Sequence, residues 1–235
     1  MIEPMQVRRV VRSMDVDMHC GGERLLADFL NLVSGPGSGI RVVSDPDPDL
    51  LLRRHLADSL AGIGEIEALA ADATISLVDV GSGGGFPGMV LALARPQWIV
   101  HLVESGRKRA GFLLKVIAEL GIRNARVIPE RSERSGVTGD FVVARGVAPL
   151  PELLPMLIPV ANPGGHLILW KGPDAAAEMK DAEPMMSTAG LKVVRRRTYR
   201  LPKESITREI LVIEFSPAEG SGGHLQNKRP GEAEI

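Results

Sequence analysis

From residue 75 onward, short runs of Val, Ile and Leu alternate with stretches whose apolar positions recur at helical spacing. The runs are 75–80, 98–103, 125–129, 141–144, 166–170, 192–199 and 208–215. Strands separated by helices predict an α/β fold with a doubly wound, mostly parallel sheet of seven strands. The clearest helix is Arg107 to Leu120. Its Leu113, Val116, Ile117 and Leu120 form one apolar stripe, and Gly121 closes it. Only residues 201–207 join the last two runs, too few for a parallel crossover, so the last strand is expected to be antiparallel.

The first 50 residues are less patterned. A helix is expected over 23–33, with Leu26, Phe29, Leu30 and Val33 on one face. Ser34-Gly35-Pro36-Gly37-Ser38-Gly39 ends it. Asp45-Pro46-Asp47-Pro48-Asp49 reads as a turn that starts another helix, from about Leu50 to Leu60. There His55, Asp58 and Ser59 share a face by i, i+3 and i, i+4 spacing. The expected organisation is a small helical cap over 1–70, a ligand-binding α/β domain over 71–216 and a disordered tail over 217–235, rich in Gly, Ser, Glu and Lys.

The most informative stretch is Asp79-Val80-Gly81-Ser82-Gly83-Gly84-Gly85-Phe86-Pro87-Gly88, between the first strand and an apolar helical run. A glycine-rich turn between strand and helix brings backbone N–H groups and a helix N-terminus to a ligand. An ordinary tight βα turn would also fit. Glu104 tips the balance. It ends the second strand, about 20 residues beyond the glycines, where a Rossmann-like unit places its ribose-binding acid.

Composition narrows the classes. The net charge of −1 over 235 residues announces no nucleic-acid partner, so any such partner must meet local basic patches. Those are Arg53-Arg54, Arg107-Lys108-Arg109, and Arg195-Arg196-Arg197 with Arg200 and Lys203. They read either as solvated faces or as a phosphate footprint. With 3% aromatic residues, a stacking platform for single strands is not expected. The single cysteine, Cys20, forms no internal disulfide. Neither a membrane-spanning run nor a signal peptide is evident, so a cytoplasmic protein is the default. No Cys/His cluster suggests a metal.

The glycine stretch resembles motif I of class I S-adenosylmethionine (SAM)-dependent methyltransferases. More narrowly, residues 50–215 resemble the bacterial 16S rRNA guanine-N7 methyltransferases of the RsmG (GidB) family. The resemblance is carried by His55-Leu56-Ala57-Asp58-Ser59-Leu60, the Phe86-Pro87-Gly88 ending and Val103-Glu104-Ser105 with Arg107-Lys108-Arg109. Ala144-Arg145-Gly146-Val147-Ala148-Pro149-Leu150, and Pro163-Gly164-Gly165 leading to Trp170-Lys171-Gly172, complete it. The family's Trp-Asn pair ahead of the His-x-x-Asp-Ser motif is missing; a Gly/Pro/Ser segment stands in that region.

The resemblance implies SAM as cofactor, held by Asp79, Gly81, Gly83, Gly85, Phe86, Glu104, Ser132, Glu133 and Arg145. It implies 16S rRNA in the small ribosomal subunit as partner, at guanine 527. A monomer is expected, with no metal and no membrane contact. Candidate substrate contacts are His55, Asp58, Ser59, Lys171, Arg195 and Arg197. Guanine N7 carries a free lone pair exposed in the major groove, so no general base is expected and no catalytic residue is assigned. A SAM-dependent enzyme for a small molecule, or a binding protein without catalysis, remain the alternatives. Ser132 and Glu133 also fit a simple helix cap, Arg145 a structural ion pair, and Lys171 a solvated strand-end lysine.

Overall fold

The computed structural model describes residues 1–35, 47–70, 74–202 and 204–217. Seven strands form one sheet in the order β3-β2-β1-β4-β5-β7-β6. They are β1 Ser76–Val80, β2 Ile99–Val103, β3 Ala125–Ile128, β4 Gly139–Arg145, β5 Ala161–Lys171, β6 Leu191–Arg200 and β7 Thr207–Phe215. Strands β1 to β5 pair parallel. Strand β7 runs antiparallel to both β5 and β6. The seven expected strands, the doubly wound sheet and the antiparallel end are all present.

Helices cover both faces. On one lie α1 Pro4–Ser13, α2 Gly22–Ser34, α6 Gly88–Ala94 and α7 Arg107–Leu120. Their apolar sides share one core with Leu77, Val100, Phe141, Ile168, Ile210 and Val212 of the sheet. The helices of the first 70 residues are therefore packed into the main core. On the other face α8 Leu150–Leu157 and α9 Ala175–Ala189 pack against Val78, Val142, Leu167, Leu211 and Ile213. Helix α1 was not legible as an element, although Glu3 and Gln6 form a capping box and Pro4 opens it. Among the described residues, no helix is long and apolar enough to cross a membrane.

The segment expected as one helix from Leu50 to Leu60 is broken into unlike turns. Asp47 caps α3 Pro48–Leu50, its carboxylate accepting the Asp49 and Leu50 N–H groups at 3.0 Å. A π-helical stretch, Leu51–Leu56, follows, then α4 Ala57–Leu60 and α5 Ile63–Glu67. A π turn widens the coil locally and is often found at functional sites. The Gly/Pro run after Ser34 and the tail beyond Pro217 lie outside the described residues.

A buried contact ties the end of β1 to the start of α6. The Gly88 N–H donates to Asp79 Oδ2 at 2.9 Å. A Cβ on Gly88 would lie 2.4 Å from that oxygen and 2.5 Å from Leu102 Cδ2, so only glycine lets α6 start this close to the sheet. Gly85, at φ +96°, faces inward: a Cβ there would meet Phe29, Met89 and Leu113 at 3.0–3.2 Å. Asp79 is fully buried, and among the described residues its Oδ1 has no hydrogen-bond partner. Burial raises its pKa to about 7, against the lowering effect of the Gly88 N–H and Ser82.

Two outcomes follow from this turn. Gly88→Ala should destabilise the fold by about 1–3 kcal/mol in chemical denaturation, because an inserted methyl has no room. Asp79 binds its proton more tightly folded than unfolded, so its contribution to stability falls as pH rises from about 4 to about 7. Asp79→Asn should remove that component. The difference in unfolding free energy between wild type and variant, measured across this range, should change with that sign; a flat difference would contradict the assignment.

Candidate functional site

A cleft of about 790 Å3 opens at the carboxyl ends of β1, β2, β4 and β5. Open α/β sheets bind ligands at that edge, where the strand order reverses between β1 and β4. One wall is the glycine loop, Gly81 to Gly84 with Phe86. Gly81 takes φ +73°, and a Cβ there would run into Val147 Cγ2 at 2.8 Å. The loop backbone is therefore bare towards the cleft.

Glu104 sits at the end of β2 with 3% of its surface exposed. Its Oε2 accepts the Gly83 N–H at 3.0 Å, and its Oε1 accepts the Gly106 N–H at 2.6 Å. Arg109 of α7 completes the set at 2.8 Å. The acid is thus anchored to the glycine loop, with lone pairs left for a diol lying between them. Ser132 and Glu133, in a short 3-10 turn after β3, line the same side.

The other wall comes from the π-helical stretch and α4. Asp58 is 4% exposed, and its carboxylate gathers three partners. Arg145 Nη1, at the end of β4, donates to Oδ2 at 3.0 Å. Arg208 of β7 lies 3.5 Å from the same oxygen, and the Tyr199 hydroxyl of β6 donates to Oδ1. The Trp170 indole N–H of β5 donates to the Asp58 carbonyl at 2.7 Å. Four strands thus converge on one helical residue.

Arg145 is held on all sides. Its Nη2 donates to His55 Nδ1 at 3.0 Å, which makes that nitrogen an acceptor and puts the His55 ring proton on Nε2. Its guanidinium lies 5.4 Å from the Phe86 ring centroid, and the His55 ring packs against the same ring at 5.0 Å, tilted by 41°. Burial lowers the Arg145 pKa, and the Asp58 carboxylate opposes that shift. Burial and the adjacent Asp58 push the Tyr199 phenol well up, so it stays a donor. Lys171 also borders the cleft, its Nζ donating to Glu178 at 2.7 Å and to the Ala148 carbonyl at 3.0 Å.

The structure therefore brings Gly81, Gly83, Phe86, Glu104, Ser132, Glu133, Arg145, His55, Asp58 and Lys171 to one cleft. It does not bring all the candidates there. Asp79 and Gly85 lie behind the loop and shape it from within. Ser59 is fully buried and donates to the His55 carbonyl at 2.7 Å, so its hydroxyl faces its own helix.

Arg195 and Arg197 do not border the cleft; both pair with Glu65 of α5. Nor do the basic runs form one footprint. Arg53 pairs with Asp49, Arg54 with Glu204, and Arg196 with Glu209. Sequence reasoning missed Trp170, Tyr199 and Arg208 as site residues. Trp170 stood inside a quoted motif, and Tyr199 is the chain's single tyrosine, but strand order alone brings them to Asp58.

Comparison with known proteins fits this geometry. Solved structures sharing the fold include magnesium protoporphyrin IX methyltransferase from Synechocystis with bound SAH. It is 16% identical with a TM-score of 0.56, over 80% of this chain and 93% of that one. Another is TYW2 from M. jannaschii in complex with AdoMet, 15% identical, TM-score 0.51, over 66% and 76%. Sequence relatives are closer. Ribosomal RNA small subunit methyltransferase G of Sorangium cellulosum is 40% identical over 67% of each chain. That of Acidothermus cellulolyticus is 36% identical over 71% of this chain and 72% of its own. The family model GidB, rRNA small subunit methyltransferase G, matches residues 23–207, and the chain belongs to that family.

Proposed function

We propose that the cleft binds SAM and transfers its methyl group to N7 of a guanine in small-subunit 16S rRNA, at the position equivalent to guanine 527. The observation that carries the reading is Glu104, a buried carboxylate tied by its own oxygens to the glycine loop and facing a cleft of nucleoside size. Gly81 to Gly84 would lie along the methionine and ribose portions. Glu104 would accept the ribose hydroxyls, and Ser132 and Glu133 would flank the adenine. When bound, SAM supplies a methyl group already activated by its sulfonium charge.

The chain's own residues then have positioning to do. N7 has a lone pair and needs no deprotonation before attack, so the barrier is lowered by alignment and by excluding water. Arg145, His55 and Phe86 form a rigid wall at the junction of the two halves of the cleft, held by Asp58. Arg145 and Lys171 offer fixed cationic donors to an electron-rich base edge or a phosphate. The exposed basic groups at the start of α7, Arg107 and Lys108, and Arg131 after β3 stand beside the cleft for backbone phosphates.

Two experiments test this reading. Glu104→Ala should weaken SAM binding in calorimetry by about 2–4 kcal/mol, the loss of charge-assisted bonds to a diol. Undiminished affinity would remove Glu104 from the site. Incubating the protein with methyl-labelled SAM and small ribosomal subunits, then mapping the product, should give one N7-methylguanine. Methylation of another atom, or of a small metabolite with no label in RNA, would overturn the substrate and leave the cofactor site standing.

A further inference from the structure

Strand β6 carries the run Arg195-Arg196-Arg197, which a sequence reading offers to RNA. The strand contains an irregularity that gives the run another role. Val193 pairs with Ile213, but Arg195 pairs with Val212, so β6 has one residue more than β7 at this point. Such a bulge reverses which side chains face which side. Ile213 belongs to the core under α8 and α9, and Val212 to the core under the N-terminal helices. Val193 accordingly points to the first, and Arg195, Arg197 and Tyr199 all turn to the second.

There the two arginines close on one acid. Glu65 of α5 is 5% exposed. Arg195 Nη1 lies 3.1 Å from its Oε2 and Arg197 Nε 2.6 Å from its Oε1. Arg197 Nη2 also donates to the Ala61 carbonyl. Two residues further along the same face, Tyr199 donates to Asp58. One edge of β6 thus grips the 58–65 segment at both ends. Between them Gly62 lies against Trp170, where a Cβ would come within 2.2 Å of the indole, so the segment has no slack in that direction.

We propose that Arg195, Arg197 and Glu65 are positioning residues for the cleft, and that the two arginines do not serve as RNA contacts. They fix α5 on β6, and α5 and α4 carry that constraint to Asp58 and so to Arg145. The proposal rests on the reading of the cleft as a methyl-transfer site. The buried Glu65 carboxylate needs a cation beside it, and two half-exposed guanidiniums on β6 supply it from two positions, so α5 cannot leave β6 without leaving that charge uncompensated. Small displacements of a positioning group cost rate far more than affinity.

The test compares full-length Glu65→Gln, the Arg195→Ala/Arg197→Ala pair and the triple variant. Three quantities are measured: SAM affinity by calorimetry, small-subunit affinity by filter binding, and the single-turnover methylation rate with both saturating. Glu65→Gln and the arginine pair should each slow the rate by about tenfold or more, with both affinities within about twofold of wild type. The triple variant should be no slower than the arginine pair, because the three residues act as one unit. Arg197→Lys, which keeps a charge near Glu65, should recover part of the rate.

A salt-sensitive loss of subunit affinity in the arginine pair, with Glu65→Gln unaffected, would overturn the proposal in favour of an RNA contact. If the wild type methylates no subunit at all, the functional reading fails, and amide hydrogen exchange decides the joint by itself. Glu65→Gln should then speed exchange over residues 58–65, and unchanged protection would overturn the proposal.

Discussion

The carboxylate of Asp58 is the point on which this molecule turns. It sits almost without solvent on a short helix that is not part of the sheet, yet it is bound by Arg145, Tyr199 and Arg208 from three different strands. A buried acid of this kind has to be compensated, and its compensation joins the helical layer to the sheet at the mouth of the cleft. Trp170 adds a fourth strand through the backbone of the same residue. Both walls of the cleft then become one rigid body. The glycine loop is fixed from below by Asp79 and Gly88, and from the side by Glu104.

This arrangement suits a reaction in which alignment matters more than proton transfer. The proposed acceptor, guanine N7, needs no base, and Asp79, the carboxyl group that burial raises to about 7, lies behind the loop and does not border the cleft. Arg145, whose partners are all fixed, offers charge without mobility, which is what a preorganised site requires. The same preorganisation explains why so many of the basic residues are spent on ion pairs inside the protein. A chain of near-neutral net charge has few cations to spare for RNA; Arg131 lines the cleft, and Arg107 and Lys108 stand exposed at the start of α7.

The strands were legible because period and β-branched content suffice for a buried parallel sheet, and the turn from Asp79 to Gly88 because glycine and proline positions have direct conformational meaning. Glu104 was legible because its distance from the glycines is set by one βαβ unit. For Arg195 and Arg197 a run of arginines gives the charge but not the partner, because Glu65, which both meet, lies 130 residues from Arg195 along the chain. Ser59 was misplaced because helical spacing does not reveal that a serine will bond back to its own helix. Helix α1 went unread although Val7, Val10 and Val11 carry its stripe, since ten residues with three arginines present little else. Tyr199 and Trp170 come to the site only through strand order, which spacing along the chain does not encode.

The role of the Asp58 joint is read from the single-turnover methylation rate of small ribosomal subunits by Asp58→Asn at saturating SAM. The substitution keeps the shape of the side chain and removes the charge that holds Arg145. The expected rate is at least about tenfold below wild type, with SAM affinity changed by no more than about threefold. A rate equal to wild type would show that the joint between helix and sheet does not govern transfer. A loss confined to SAM affinity would place Asp58 in the cofactor half of the cleft instead.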